Sequence, residues 1–167
     1  MIKNFNSLFV TMFGVGKIKF APGTFGSLVT TIILFYLFHS LKLSSNIILI
    51  GLIIIFIYSF YAISSHTKNS INKDPGEIVI DELLGQSIPI YLYEISHGTT
   101  KEDGEAIVYY TLFFFLFRYF DIAKPFPVNF FDKNFKNSFG VIMDDICAGL
   151  YVVLTLVCFM IIKSYVL

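Results

Sequence analysis

Five acidic side chains lie at or beside the ends of long apolar runs, where an ionised group is hardest to keep. They are Asp81, Glu82, Asp121, Asp144 and Asp145. An ionised carboxylate that leaves water without a partner costs several kcal/mol, so a cluster of them indicates bound cations or proton chemistry. Carboxylate oxygens are hard ligands, and Mg²⁺ is commonly held by one or two of them together with water and substrate phosphate.

The strongest of these signals is the pair Asp144 and Asp145, which are consecutive in an otherwise apolar stretch. Like-charge repulsion and desolvation both oppose two adjacent carboxylates. Neither a helix cap nor solubility requires both of them, so we predict a metal site here. Zinc is disfavoured, because the three histidines, His39, His66 and His97, are far apart and lack helical spacing to an acid.

Asp81 and Glu82 precede a weakly apolar segment, where acids favour the positive end of the helix dipole. That capping role alone would explain either residue. Adjacent helical side chains point about 100° apart, so both reach one ion only if the site lies at the helix end. We expect Asp81 to point into the bundle, and Gly85 to leave room for the close approach of another helix or of a ligand.

Arg118, Asp121 and Lys124 follow one another at three-residue spacing, and Pro125 stops the helix that carries them. Arg118 and Asp121 would form an intrahelical ion pair on this spacing, which is the simpler explanation. Arg118 is also the only arginine in the chain, and a guanidinium beside carboxylates suits bidentate recognition of phosphate. Lys124 is either a second phosphate contact or a side chain that extends to the lipid surface.

Thr24 and Ser27 lie in a glycine-containing stretch, residues 21–27, that leads into the first apolar run. Either hydroxyl is suited to cap the helix. The unpaired N–H groups of such a helix start also form a modest anion site.

The composition predicts a membrane protein. Hydrophobic residues make up 56% of the chain and charged residues only 14%, with 20 phenylalanines, which exceeds the apolar content of an ordinary soluble domain. The net charge is zero and the basic residues are scattered, so nucleic acid is not an expected partner. No linker or repeat divides the 167 residues, and we predict one domain over residues 1–167.

The expected fold is all-α: a compact helical bundle, integral to the membrane, with about four to five membrane-embedded helices. A weaker apolar segment, residues 83–95, contains Gln86 and Pro89, and is a broken span, a re-entrant helix or a helix buried among the others. The four main runs are residues 27–41, 47–63, 106–120 and 146–162.

The distribution of basic residues predicts the orientation. If the N-terminus is cytoplasmic and the weak segment crosses, nine lysines and arginines lie inside and only Lys42, Lys101 and Lys163 lie outside, in agreement with the positive-inside rule. This topology brings all five acids to the cytoplasmic face from three distant parts of the sequence.

Four motifs, in this order along nearly the whole chain, together resemble the phosphatidylglycerophosphatase A family. They are Pro-Gly-Thr-Phe-Gly-Ser at 22–27, Asp-Glu-Leu-Leu-Gly at 81–85, Arg-Tyr-Phe-Asp-Ile-Ala-Lys-Pro-Phe-Pro at 118–127, and Met-Asp-Asp-Ile-Cys-Ala-Gly at 143–149. The resemblance implies an all-helical fold in the bacterial inner membrane. It also implies Mg²⁺-dependent removal of the terminal phosphate from phosphatidylglycerophosphate, which yields phosphatidylglycerol and inorganic phosphate.

Our hypothesis for the site follows from this chemistry, since hydrolysis of a phosphate monoester is too slow for one carboxylate to catalyse unaided. The five acids hold one or two Mg²⁺ ions, and one of them, for which we choose Asp145, accepts a proton from water. Arg118 and Lys124 bind the remaining phosphate oxygens, and Thr24 and Ser27 hydrogen-bond the phosphate or the glycerol.

Two other functions fit an acid-rich helical bundle. A transporter of divalent cations would carry its acids near the middle of the membrane on broken helices. A non-catalytic helical membrane protein would use them as solvated helix ends, and would tolerate their replacement by amides.

Overall fold

The computed structural model describes residues 2–68, 75–97 and 103–166, and within these ranges the chain forms seven α-helices and no strand. This confirms the all-α prediction. A π-helical turn, Tyr36–Ser40, continues the second helix. The helices are α1 (Ile2–Val10), α2 (Pro22–Phe35), α3 (Ser45–His66), α4 (Ile80–His97), α5 (Asp103–Ala123), α6 (Val128–Asn134) and α7 (Ser138–Val166).

Four stretches are long and apolar enough to cross a bilayer, and each contains one of the four predicted runs almost entirely. They are Pro22–Ser40, Ser45–His66, Gly104–Ala123 and Ser138–Ile162. Most of their ends lie beyond the predicted ones, because the helices continue through polar residues that the apolar runs exclude. The clearest case is α7, which begins before Asp144 and Asp145 rather than after them.

The bundle has an apolar surface, unlike a soluble protein, and its interior combines an apolar core with buried polar side chains. Its surface carries many large apolar side chains, such as Ile57, Phe115 and Phe159, each about two-thirds exposed. Its interior contains buried polar side chains, among them Gln86 and Glu94. An apolar belt of this kind fits a lipid environment, in which polar side chains turn inward.

The weak segment is a single continuous helix at the centre of the bundle. α4 packs against α2, α3, α5 and α7, and both Gln86 and Ile90 on it are fully buried. Pro89 lies inside this helix, so the carbonyl of Gly85 has no N–H four residues later to bond. Of the three alternatives for residues 83–95, the structure therefore shows the helix buried among the others.

Two glycines let α4 and α7 cross at close range. A Cβ added at Gly85 would lie 2.5 Å from the Asp145 carbonyl oxygen and 2.7 Å from a ring carbon of Phe117. A Cβ added at Gly149 would overlap the Gly85 carbonyl. Because neither residue has a side chain, the two backbones approach directly, and the close approach expected at Gly85 is confirmed.

The long helices alternate in direction, so that one end of the bundle gathers the starts of α2, α4 and α7 and the ends of α3 and α5. At that end, His66 at the end of α3 pairs with Glu77, just before α4, at 2.9 Å. At the opposite end, Glu94 accepts hydrogen bonds from the Tyr110 hydroxyl at 3.0 Å and pairs with His39 Nε2 at 3.1 Å. These contacts tie the helices together at both ends.

Replacing Gly85 by alanine forces α4 and α7 apart, because the new Cβ meets backbone atoms that cannot rotate away. We expect a loss of roughly 1–3 kcal/mol in the free energy of unfolding. The matched control is Gly51→Ala on α3, where a Cβ meets nothing within 4 Å and the higher helix propensity of alanine stabilises by up to about 1 kcal/mol. Unfolding in mixed micelles measures both. Equal stability of the two variants would contradict the close crossing.

Candidate active site

Three carboxylates meet where α4 and α7 cross. One oxygen from each of Asp81, Glu82 and Asp145 lies within 4.8 Å of the other two. Asp81 and Glu82 occupy the first turn of α4. The site therefore lies at a helix end, which is the position that two adjacent carboxylates need in order to reach one ion. Asp81 is buried, as expected. The crossing at Gly85 brings Asp145 against this helix end.

The oxygens of this group are poorly supplied with hydrogen bonds. Glu82 Oε2 and Asp145 Oδ1 are buried and have no hydrogen-bond partner among the described residues. Burial, assisted by the charge of Asp121 and opposed by Asp81 and Arg118, raises the pKa of Glu82 to about 7. Buried oxygens of this kind favour a bound cation, and a donor set made only of carboxylate oxygens fits Mg²⁺ or Mn²⁺.

Arg118 lies close to Glu82, one of the three carboxylates. Its Nη1 pairs with Asp121 Oδ2 at 2.7 Å, which confirms the intrahelical ion pair, and also donates to Ser27 Oγ at 3.5 Å. Its Nε is buried without a hydrogen-bond partner among the described residues. A Cβ at Gly23 would overlap Glu82 Oε1 and lie 3.2 Å from Arg118 Nη1. The absence of a side chain at Gly23 therefore allows α2 to complete the site.

Thr24 and Ser27 lie inside α2 rather than at its cap. The helix begins at Pro22, and the capping position is Ala21, with φ of 47° and no side-chain hydrogen bond. Capping by either hydroxyl was therefore a wrong prediction, because a proline fits the first helical position and starts the helix earlier. Ser27 Oγ donates to the Gly23 carbonyl at 2.9 Å. Substrate binding by Thr24 and Ser27 remains a prediction.

Asp144 is directed to a different partner from Asp145. Its Oδ1 accepts the Asp145 N–H at 3.0 Å and its Oδ2 pairs with Lys124 Nζ, also at 3.0 Å. Lys124 pairs in addition with Asp132 of α6 at 2.9 Å. Although burial opposes the charge, these two carboxylates raise the pKa of Lys124. Lys124 therefore lies between two acids, and its contact with phosphate or with the lipid surface stays a prediction.

Two residues near the site gave no usable signal in the sequence. Asp132 lies in a mixed polar stretch, and only the fold brings it to Lys124. Gln86 follows Glu82 by one turn of α4, is fully buried, and has no hydrogen-bond partner for either amide atom among the described residues. Its polarity inside an apolar segment was visible, but it indicated only a broken span, a re-entrant helix or a buried helix, and no site residue.

The fold and the site together define a helical membrane protein with a carboxylate-lined polar site at one end of its bundle. The sequence model of the family Phosphatidylglycerophosphatase A matches residues 8–160. The chain belongs to this family, as the four motifs indicated.

Three relatives extend over most of the chain. Phosphatidylglycerophosphatase A of Haemophilus influenzae is 37% identical over 142 residues, which cover 85% of this chain and 80% of that protein. The Escherichia coli protein of the same name is 32% identical, covering 82% and 73%. A putative phosphatidylinositol-3-phosphatase of Bacteroides thetaiotaomicron is 34% identical, covering 84% of each chain. No solved structure matches significantly. The chain is thus a phosphatase that acts on a phosphate monoester.

Replacing Lys124 by methionine leaves the buried carboxylate of Asp144 without its cation. We expect a loss of roughly 1–3 kcal/mol in the free energy of unfolding, mostly from Asp144, because Asp132 is more exposed. The control is Lys133→Met, which removes an exposed lysine from α6. Denaturant unfolding compares the two variants, and a Lys124→Met protein as stable as the control would show that the Lys124 pairs contribute nothing.

Proposed function

We propose that this chain is a Mg²⁺-dependent phosphatase that hydrolyses phosphatidylglycerophosphate to phosphatidylglycerol and inorganic phosphate. The best support is that hydrogen-bond acceptors without donors and a donor without an acceptor lie in the region where α4 and α7 cross. Among the described residues, Glu82 Oε2 and Asp145 Oδ1 lack donors, whereas Arg118 Nε lacks an acceptor. A divalent cation together with a phosphate group supplies both kinds of partner.

Asp81, Glu82 and Asp145 would hold the Mg²⁺ ion, since their oxygens lie close enough to share it. Asp121 and Asp144, which the sequence hypothesis also placed on the metal, act through Arg118 and Lys124, with which they pair. When bound, Mg²⁺ neutralises phosphate oxygens and lowers the pKa of a water molecule.

Side chains of the protein then bind the substrate and transfer the protons of the reaction. Arg118, fixed by Asp121, donates to the oxygens of the terminal phosphate. The hydroxyls of Thr24 and Ser27 hydrogen-bond the phosphate or the glycerol. Asp145 accepts a proton from the attacking water as the bond from phosphorus to the glycerol oxygen breaks, and that oxygen leaves with a proton. One water molecule is consumed, and one alcohol and one phosphate are formed.

The choice of substrate rests on the family and on the names of its two relatives from Haemophilus influenzae and Escherichia coli. The Bacteroides thetaiotaomicron relative is named for an inositol lipid, so a phosphoinositide is the competing substrate to assay. Both substrates present a phosphate monoester on a lipid headgroup, which fits a polar site at the end of apolar helices.

We place the protein in the bacterial inner membrane with its site on the cytoplasmic side. The excess of basic residues on the loops at that side supports this orientation. Of the lysines counted, Lys73 on that side and Lys101 on the opposite side lie outside the described residues. Attachment of a membrane-impermeant thiol reagent to single cysteines placed in the loops measures the orientation directly.

The purified protein is expected to release phosphate from phosphatidylglycerophosphate with Mg²⁺ and to stop when a chelator is added. Asp145→Asn removes a metal ligand and the proposed base, so phosphate release should fall by roughly 10²–10⁴-fold. The control is Glu105→Gln, an exposed acid at the far end of α5, which should keep full activity.

Binding of Mn²⁺, followed by electron paramagnetic resonance, separates loss of the ion from loss of the fold. We expect weaker binding in Asp145→Asn than in Glu105→Gln, with both proteins eluting as folded species. Normal turnover by Asp145→Asn would refute its proposed role. Full turnover in the presence of chelator would refute the requirement for Mg²⁺.

A further inference from the structure

Two apolar grooves lie on either side of α3, where this helix packs against α4. One has a volume of about 370 Å³ and lies between α3, α4 and α7. The other has a volume of about 230 Å³ and lies between α2, α3 and α4. Both are lined by Leu52 of α3 and Ser87 of α4, so the two grooves adjoin at these residues.

The sequence of α3 explains why there are two grooves rather than one. Successive helical residues turn by about 100°, which places Leu49 and Ile53 on one flank of Leu52 and Gly51 and Ile55 on the other. Each flank lines its own groove. The helix therefore forms a ridge at Leu52 with a groove on each side.

Both grooves begin beside the carboxylates of the candidate site. On α4, Leu84 and Ile88 line the larger groove, and they follow Asp81 by three and seven residues, on the same helical face. Leu83, which lines the smaller groove, comes directly after Glu82. From Leu84 to the last lining residue of α4, eight positions later, the larger groove extends about 12 Å along the helix.

The walls of the grooves are suited to hydrocarbon. None of their lining residues, all of which lie in the described part of the chain, carries a charge. Two of the hydroxyl groups in the walls bond within their own helices: Thr30 Oγ1 donates to the Gly26 carbonyl at 2.9 Å, and Ser87 Oγ to the Leu83 carbonyl at 2.6 Å.

We propose that the two grooves hold the two acyl chains of a diacyl glycerophospholipid whose phosphorylated headgroup occupies the carboxylate site. The proposal deepens the proposed function and rests on it. Two chains joined at one glycerol match two grooves that adjoin at a ridge and both start within a turn of Asp81 and Glu82. A third groove, of about 500 Å³, is lined only by Pro127 and residues of α7, and it lacks this paired arrangement.

Photolabelling tests the proposal without turnover. The probe is a non-hydrolysable phosphonate analogue of phosphatidylglycerophosphate with a diazirine in the middle of one acyl chain, added with Mg²⁺ to the protein in phosphatidylcholine vesicles. A phosphatidylcholine with the same diazirine chain is the reference. We expect the analogue to label α3 and α4 residues of the two grooves several-fold more than the reference does.

Variants with matched controls connect the labelling to the grooves. Gly51→Phe fills the smaller groove, since a Cβ there meets nothing within 4 Å, and Ile53→Trp fills the larger one. Each should lower the labelling several-fold and raise KM for a long-chain substrate while leaving KM for a short-chain one unchanged. Ile50→Phe and Ile54→Trp, at exposed positions that line neither groove, should change neither quantity.

Equal labelling by the two lipids would overturn the proposal, because the grooves would then hold bulk lipid only. Preferential labelling of Leu150 and Leu154 would overturn it in favour of the groove on α7. Failure of the proposed function is distinguishable from both outcomes: a protein without phosphatase activity that still labels at α3 and α4 selectively would keep the lipid subsites and lose the reaction.

Discussion

The mutual repulsion of three closely spaced carboxylates is the constraint on which the rest of this structure depends. Asp81, Glu82 and Asp145 share one small region from which water is largely excluded, and ionised groups in such a place need compensating charge. Two cations in this part of the structure, Arg118 and Lys124, are each already paired with an acid, Asp121 and Asp144. Glu82 Oε2 and Asp145 Oδ1, which have no hydrogen-bond partner among the described residues, therefore suit a cation from solution.

The helices around the site pack closely enough to keep these carboxylates together. Gly85 and Gly149 bring α4 and α7 into backbone contact, and Gly23 lets α2 approach Glu82 and Arg118. A larger residue at any of these positions would move the carboxylate ligands apart, although the carboxylates themselves would be unchanged. The site is therefore held by regular helices at close range rather than by loops, as suits groups that must keep fixed geometry.

The class of fold and the three acids of the candidate metal group were predictable from the sequence, because polar residues stand out in a sequence suited to a lipid environment. Acids such as Asp81 and Asp145 stand out in apolar surroundings, and Pro125 marks the end of a helix. The pairing of Lys124 with both Asp144 and Asp132 was not predictable. It depends on the position of α6, which the hydrophobic periodicity of the sequence does not reveal. Helix starts were also missed: the predicted runs began at the first continuous apolar residues, whereas α2 begins at Pro22 and α7 at Ser138.

Anomalous X-ray scattering from crystals grown with Mn²⁺ tests the central claim most directly. The account predicts a peak between the carboxylates of Asp81, Glu82 and Asp145, which disappears when Asp145 is replaced by asparagine. A protein that hydrolyses its lipid substrate while its only anomalous peaks lie away from these three side chains would contradict it.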